Sequence, residues 1–258
     1  MGRILAIANQ KGGVGKTTTT INLAASLAVA GRTVLLVDLD PQANATSGVG
    51  IDRGGIERST YDVLIRGCKV SEVVVNTSVP RLAVAPSEPD LAAAEVELAG
   101  VESRELVLRR ALGDAAGLYD YILVDCPPAL GLLTVNALVA AEAVLIPVQC
   151  EFYAMEGLGR LMQTVERVRK SLNPSLAIEG ILLTLFDGRN NLHKQVAEEI
   201  RTHFPGMVFT SVIPRNIRLA EAPSHGAPVL MYDVASVGAQ AYLNLAKEVL
   251  AHAKKGAR

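Results

Sequence analysis

Short apolar runs alternate with helical periodicity along the whole of this chain. Ile4-Leu5-Ala6-Ile7-Ala8, Arg32 to Asp38, Arg81 to Pro86, Tyr119 to Asp125 and Glu142 to Val148 are near-continuous apolar segments, the pattern of strands covered on both faces. Ala177 to Phe186 and Val208 to Ile213 complete the set. Helical spacing predicts helices over Ile21 to Ala30, Leu91 to Leu112, Tyr153 to Leu172, Leu192 to Phe204 and Ser236 to Lys255. Thr60 is expected to cap a short helix from Tyr61 to Arg66. Gln42 to Ser59 is polar and carries Gly48, Gly50, Gly54 and Gly55, which predicts a mobile surface segment. The alternation predicts an α/β fold: a single doubly wound domain over 1–258, its mostly parallel sheet of about seven or eight strands flanked by helices. Residues 252–258 are expected to form a flexible basic tail.

Composition narrows this reading. Half of the 258 residues are hydrophobic and only 4% are aromatic, so the core must be built from Ala, Val, Leu and Ile. The net charge of −1 gives no global attraction to nucleic acid, so DNA binding would need a local patch. Cys68, Cys126 and Cys150 are widely spaced, which suits a reducing cytoplasm and provides neither a disulfide framework nor a paired metal motif. No signal peptide is expected, because Arg3 precedes only a short strand. No run approaches bilayer length, and the C-terminal Lys254-Lys255-Gly256-Ala257-Arg258 lacks the apolar face of a membrane anchor.

The candidate chemistry begins where the first strand ends, in Ala8-Asn9-Gln10-Lys11-Gly12-Gly13-Val14-Gly15-Lys16-Thr17-Thr18. A strand, a glycine-rich turn and a helix N-terminus direct backbone N–H groups at one point, and the helix dipole favours negative charge there. Lys16 is placed to reach the β- and γ-phosphates of a nucleotide, and the Thr17 hydroxyl to ligate Mg²⁺. The loop departs from the general P-loop pattern: Gln10 stands where a glycine is usual, and Lys11 is an added lysine. A dinucleotide-binding turn is excluded, since the third glycine is missing. The second strand ends in Asp38-Leu39-Asp40, which puts two carboxylates at the C-terminal end of a strand, where Mg²⁺ and water would meet them. Asp125, at the end of Tyr121-Ile122-Leu123-Val124 and before Pro127-Pro128, has the Walker B arrangement of a carboxylate that holds Mg²⁺, often through water.

Lys11 to Thr18, Asp38-Leu39-Asp40-Pro41-Gln42-Ala43-Asn44, Asp125-Cys126-Pro127-Pro128 and Ile213 to Gly226 together resemble the ParA/Soj family of deviant Walker A partition ATPases, relatives of MinD. The resemblance runs from Arg3 to about Leu250. It implies a P-loop NTPase fold, ATP and Mg²⁺ as cofactors, and a homodimer with ATP sandwiched at the interface. The implied ATP-binding set is Lys11, Gly12, Gly13, Val14, Gly15, Lys16, Thr17 and Thr18, with Pro214 and Asn216 at the adenine. Lys11 would reach the partner's nucleotide, Gly12 would lie at the interface, and Lys16 would hold phosphate within its own subunit. Asp40 would position the attacking water, which makes Lys11, Lys16 and Asp40 the implied catalytic set. Thr17 and Asp125 would hold the metal, with Asp38 as a further candidate. Arg189, Arg215 and Arg218 match positions for non-specific double-stranded DNA binding. The implied partners are DNA and a ParB-type centromere-binding protein, with cytoplasmic, nucleoid-associated localisation and no membrane. The chain begins at its first strand, so the N-terminal DNA-binding extension of some plasmid-type relatives is expected to be absent. The competing readings are a MinD-like positioning ATPase on a membrane, an iron–sulfur reductase and a metabolic synthetase.

Overall fold

A computed structural model describes residues 2–113 and 115–256. Among the described residues, eight strands form one sheet: β1 (Arg3–Ile7), β2 (Val34–Asp38), β3 (Val75–Asn76), β4 (Leu82–Ala85), β5 (Tyr121–Asp125), β6 (Ala143–Gln149), β7 (Ala177–Phe186) and β8 (Val208–Pro214). Their spatial order is β3-β4-β2-β5-β1-β6-β7-β8, parallel throughout except for the antiparallel edge pair β3–β4. The helices are α1 (Lys16–Val29), α2 (Asn44–Gly48), α3 (Thr60–Ile65), α4 (Leu91–Glu97), α5 (Val107–Leu112), α6 (Leu132–Ala140), α7 (Ala154–Ser171), α8 (Asn191–His203), α9 (Ile217–Glu221), α10 (Val229–Tyr232) and α11 (Val237–Gly256), joined in places by 3-10 turns. The doubly wound α/β architecture expected from the sequence is the one observed.

Alternate residues of each central strand serve opposite cores. Leu5, Ile7, Val34, Leu36 and Leu123 pack under α1 and α11, while Ala6, Leu35, Val37, Ile122 and Val124 pack under α3 to α8. Each fully buried Leu or Ile contributes roughly 1.5–3 kcal/mol, and on the α1 and α11 side the buried rings of Tyr121, Phe209 and Tyr242 join them. β1 lies between β5 and β6, with Ile7 level with Asp125, and Asp125 level with Asp38 of β2. From β1 the chain runs first to the β2 side and later returns to the β6 side. The loop after β1 therefore sits at the switch point, where ligands gather in open α/β sheets.

Several local expectations are corrected. Gln42 to Ser59 is not a loose surface segment: it contains α2, and Ala43, Ala45, Thr46 and Val49 are buried. Leu91 to Leu112 is not one helix but α4 and α5 separated by 3-10 turns, with Ser103 at a φ of 53°. The Leu108 N–H at the start of α5 donates to the Asn136 side chain at 3.2 Å, a long-range contact that sets the second helix independently of the first. Ser59, rather than Thr60, caps α3, in a capping box with Asp62. The expected tail is helical as far as Gly256, and His252 stacks on Phe209 at 5.6 Å; residues 257–258 lie outside the described residues. At the far edge, the register of β8 on β7 is irregular. There the Glu248 carboxylate of α11 accepts the backbone N–H groups of Thr210 and Ser211, at 2.9 and 2.7 Å.

Candidate active site

The loop between β1 and α1 is a cradle braced from two strands, β6 and β7, and from helix α7. Gly13 and Gly15 have φ of 73° and 84°, in the left-handed region that only glycine adopts without cost. Apart from the glycine and its chain neighbours, no atom of the described residues lies within 4 Å of where a Cβ would stand on Gly12 or Gly13, so the backbone there faces open space. The Asn9 side chain donates to the Pro147 carbonyl at 2.7 Å and accepts the Lys11 N–H at 3.0 Å. The Thr184 hydroxyl, from β7, donates to the Val14 carbonyl at 2.7 Å, and Gln10 donates to the Gly157 carbonyl at 3.2 Å. A loop fixed in this way presents its N–H groups with little further ordering, which favours an anion at the start of α1. Lys16 is buried beside it and donates to the Lys11 carbonyl at 3.3 Å. Burial lowers the Lys16 ammonium below its ordinary pKa, against the opposing pull of Asp125 and Asp40.

Across from Lys16, the Asp125 carboxylate accepts hydrogen bonds from the Thr17 and Thr20 hydroxyls, both at 2.8 Å. Burial and then the nearby Asp38 charge push its pKa up to about 8, while the two threonines pull it down. Asp38 is fully buried and accepts the Thr46 hydroxyl and N–H at 2.7 and 2.8 Å and the Asp40 N–H at 3.1 Å. Desolvation lifts it to about 6. The structure thus brings Gly13, Val14, Gly15, Lys16, Thr17, Asp38, Asp40 and Asp125 to one end of β1, β2 and β5.

Other expected residues are placed differently. Lys11 forms an ion pair with Glu151 of its own chain, at 2.5 Å. Thr18 lines a cavity of about 120 Å³ with Gly15, Leu185, Ile213, Leu219 and Tyr242. Pro214 instead lines a separate groove of about 840 Å³ with Phe186 and Val237. The Asn216 side chain caps α9, accepting the Arg218 N–H at 3.1 Å. Arg189 is paired with Asp187, holding that carboxyl below the usual carboxylate range. Arg218 is paired with Glu221 and Asp233 and lies over the Tyr232 ring. Arg215 is exposed, and its N–H donates to the Phe186 carbonyl at 3.1 Å, which sets it beside the loop that carries Arg189.

Asn9, Thr20 and Thr184 support the site in roles that the motifs alone do not assign. Thr20 had a signal, since it stands three residues after Thr17 and so shares a helix face with it. Asn9 and Thr184 act through contacts 138 and 170 residues distant in the chain, which no local pattern encodes.

A family model described as an AAA domain matches residues 2–178. Sporulation initiation inhibitor protein Soj of Bacillus subtilis is 56% identical over 252 residues, covering 98% of this chain and 100% of the relative. Chromosome partitioning protein ParA of Myxococcus xanthus is 54% identical over 250 residues, covering 97% of this chain and 88% of the relative. A crystal structure of cobyrinic acid a,c-diamide synthase from Mycobacterium smegmatis, with bound ADP and magnesium, superposes with a TM-score of 0.87 at 38% identity, over 99% of this chain and 97% of that one. The identity to both relatives is above one half and spans 97% or more of this chain, well beyond the nucleotide loop. The chain therefore belongs to the ParA/Soj family of chromosome-partitioning P-loop ATPases.

Proposed function

We propose that this chain is an ATP-driven dimerising switch in chromosome partitioning. As an ATP-bound dimer it binds double-stranded DNA without sequence preference. Slow hydrolysis, stimulated by a ParB-type centromere-binding partner, returns it to the monomer. It works in the cytoplasm, on the nucleoid. The observation that carries this reading is the open glycine cradle, with the buried Lys16 on one side and Asp125, bridged by Thr17 and Thr20, on the other.

Mg²⁺ suits these residues. Among the described residues no three His, Cys, Asp or Glu side chains converge as a cage. Mg²⁺ does not need one, since it keeps waters and takes one or two carboxylates together with phosphate oxygens. Thr17 and Asp125 would hold it, with Asp38 behind them, and the ion would neutralise charge on the phosphates. Lys16 would supply a desolvated positive charge, stronger there than in water. Asp40 would orient the attacking water. Lys11, leaving Glu151, would cross to the nucleotide of a second copy and so tie hydrolysis to pairing. Pro214 and Asn216 would border the adenine. For DNA, Arg189 and Arg215 follow neighbouring strand ends, where Phe186 pairs with Pro214, and Arg218 lies one turn further. Each phosphate contact adds about 0.9 to the salt slope of binding, so a dimer doubles the dependence.

The test is sedimentation of Asp40→Ala with ATP and with ADP, in parallel with hydrolysis and with binding to a random-sequence duplex. ATP should give a stable, non-hydrolysing dimer that binds DNA, weakening as salt rises, and ADP a monomer that does not. Normal turnover by Asp40→Ala, or DNA binding indifferent to nucleotide, contradicts the reading.

A further inference from the structure

The turn that carries Asp40 is fastened from a part of the chain that no nucleotide motif includes. β4 ends at Ala85 and is followed by Pro86 and Ser87, and Ser87 is fully buried. Its hydroxyl donates to the Asp40 carbonyl at 2.8 Å. Its N–H donates to the Thr46 hydroxyl at 2.9 Å, and that hydroxyl in turn donates to Asp38 at 2.7 Å. The Asp40 N–H is held by Asp38 at 3.1 Å, so both sides of the Asp40 peptide are pinned. Thr60 adds a bond to the Asp38 carbonyl at 2.9 Å, and its own N–H donates to the Pro86 carbonyl at 2.8 Å. The bonds to Asp40 from beyond its own turn, among the described residues, all come from Ser87.

The turn needs such support. Ala43, three residues after Asp40, has a φ of 51°, a left-handed conformation that costs a non-glycine residue on the order of 1–3 kcal/mol. The Ala43 N–H and the Ser87 hydroxyl both donate to the same Asp40 carbonyl. The Asp40 carboxylate uses Oδ1 to accept the Gln42 N–H at 2.9 Å, and no hydrogen bond among the described residues occupies Oδ2. The backbone is thus fixed at every polar atom while one carboxylate oxygen stays available.

We propose that Ser87 and Thr46 are positioning residues for hydrolysis: together they fix the backbone of Asp40 so that its free carboxylate oxygen is held where the attacking water must lie. This rests on the reading of Asp40 as the group that orients water. Neither hydroxyl touches nucleotide on this account. Removing one leaves binding intact and lets the Asp40 turn relax, and a displacement near 1 Å can cost on the order of 100-fold in rate.

The experiment compares Ser87→Ala, Thr46→Val and Thr46→Ser with the parent protein, measuring ATP affinity, single-turnover hydrolysis and thermal midpoint. Ser87→Ala and Thr46→Val should each lose about 10- to 100-fold in kcat, with ATP affinity unchanged within about twofold. Thr46→Ser, which keeps the hydroxyl and loses only a methyl, should retain the parent rate. The double variant Ser87→Ala/Thr46→Val should be no slower than the worse single one, because both act through Asp40. If Ser87→Ala fails to fold, the Thr46→Val and Thr46→Ser pair still decides. Parent-like kcat in Ser87→Ala and Thr46→Val, or equal losses in Thr46→Val and Thr46→Ser, overturns the proposal. Asp40→Ala in the same assay separates the two levels: its normal turnover sinks the role of Asp40 itself, whereas its failure alongside an active Ser87→Ala sinks only the positioning role.

Discussion

The Lys11 ammonium rests on the Glu151 carboxylate of its own chain, so the lysine proposed to act on a second copy has a partner at home. The pair is half-exposed, and such bridges contribute about 0.2–1 kcal/mol. Pairing breaks one such bridge in each copy, so Glu151→Gln should strengthen ATP-dependent pairing by up to about 30-fold. Sedimentation across a concentration series reads this directly. Unchanged or weaker pairing would mean that Glu151 contributes to the paired state as well.

Gly12 has open space where a side chain would stand. Gly12→Val should fold with stability within about 0.5 kcal/mol of the parent. It should still bind nucleotide and fail to pair. A melting curve and a sizing run with ATP suffice, and a Gly12→Val protein that pairs normally removes Gly12 from the interface.

Asp125 makes the metal-free chain sensitive to pH. Its native pKa of about 8 stands above the roughly 3.9 of an unfolded aspartate, so between those values the native state holds a proton that the unfolded state has lost. Stability of the metal-free protein should fall as pH rises through that window, with Asp38 adding the same sign up to about pH 6. Mg²⁺ with nucleotide favours the ionised form and should release protons at pH 7. Urea midpoints at pH 5.5 and 8 in chelator, for the parent and Asp125→Asn, check the slope; Asp125→Asn should be flatter.

The three thiols should react unequally. Cys126 and Cys150 are fully buried, and burial raises both, Cys150 to about 11, with the Asp125 charge adding to the effect on Cys126. Cys68 is only partly buried. A thiol reagent at pH 8 should label Cys68 in the folded protein and all three in urea. Fast labelling of Cys150 in the native state would contradict the packing around β6 and α7.

The legible parts of this chain are those whose physics is local. β1, β2 and β5 read as strands because each carries an unbroken apolar run, Ile4 to Ile7, Val34 to Val37 and Ile122 to Val124, buried on both faces of the sheet. The nucleotide loop reads because glycine, lysine and threonine meet its needs within a few residues. α6 cannot be read in the same way, since Leu132 to Ala140 is apolar on most sides and carries no helical period. The break between α4 and α5 depends on Asn136, and the order in Gln42 to Ser59 on Thr46 reaching Asp38. β3 is a two-residue antiparallel edge, too short to leave a pattern. In the site, Lys16, Thr17, Asp40 and Asp125 were accessible to motif reasoning. Glu151, Thr184 and Ser87 enter only when distant strands are brought side by side.

The carboxylate of Glu248 bears on how copies of this chain can and cannot aggregate. An edge strand with free N–H groups invites another strand to continue the sheet, the route to filaments and fibres. At Thr210 and Ser211 the two donors are already engaged by a charged acceptor from the chain's own last helix. Accretion there would have to break two charge-assisted hydrogen bonds and strand an anion. The β8 edge is thereby protected against fusing with the sheet of another copy.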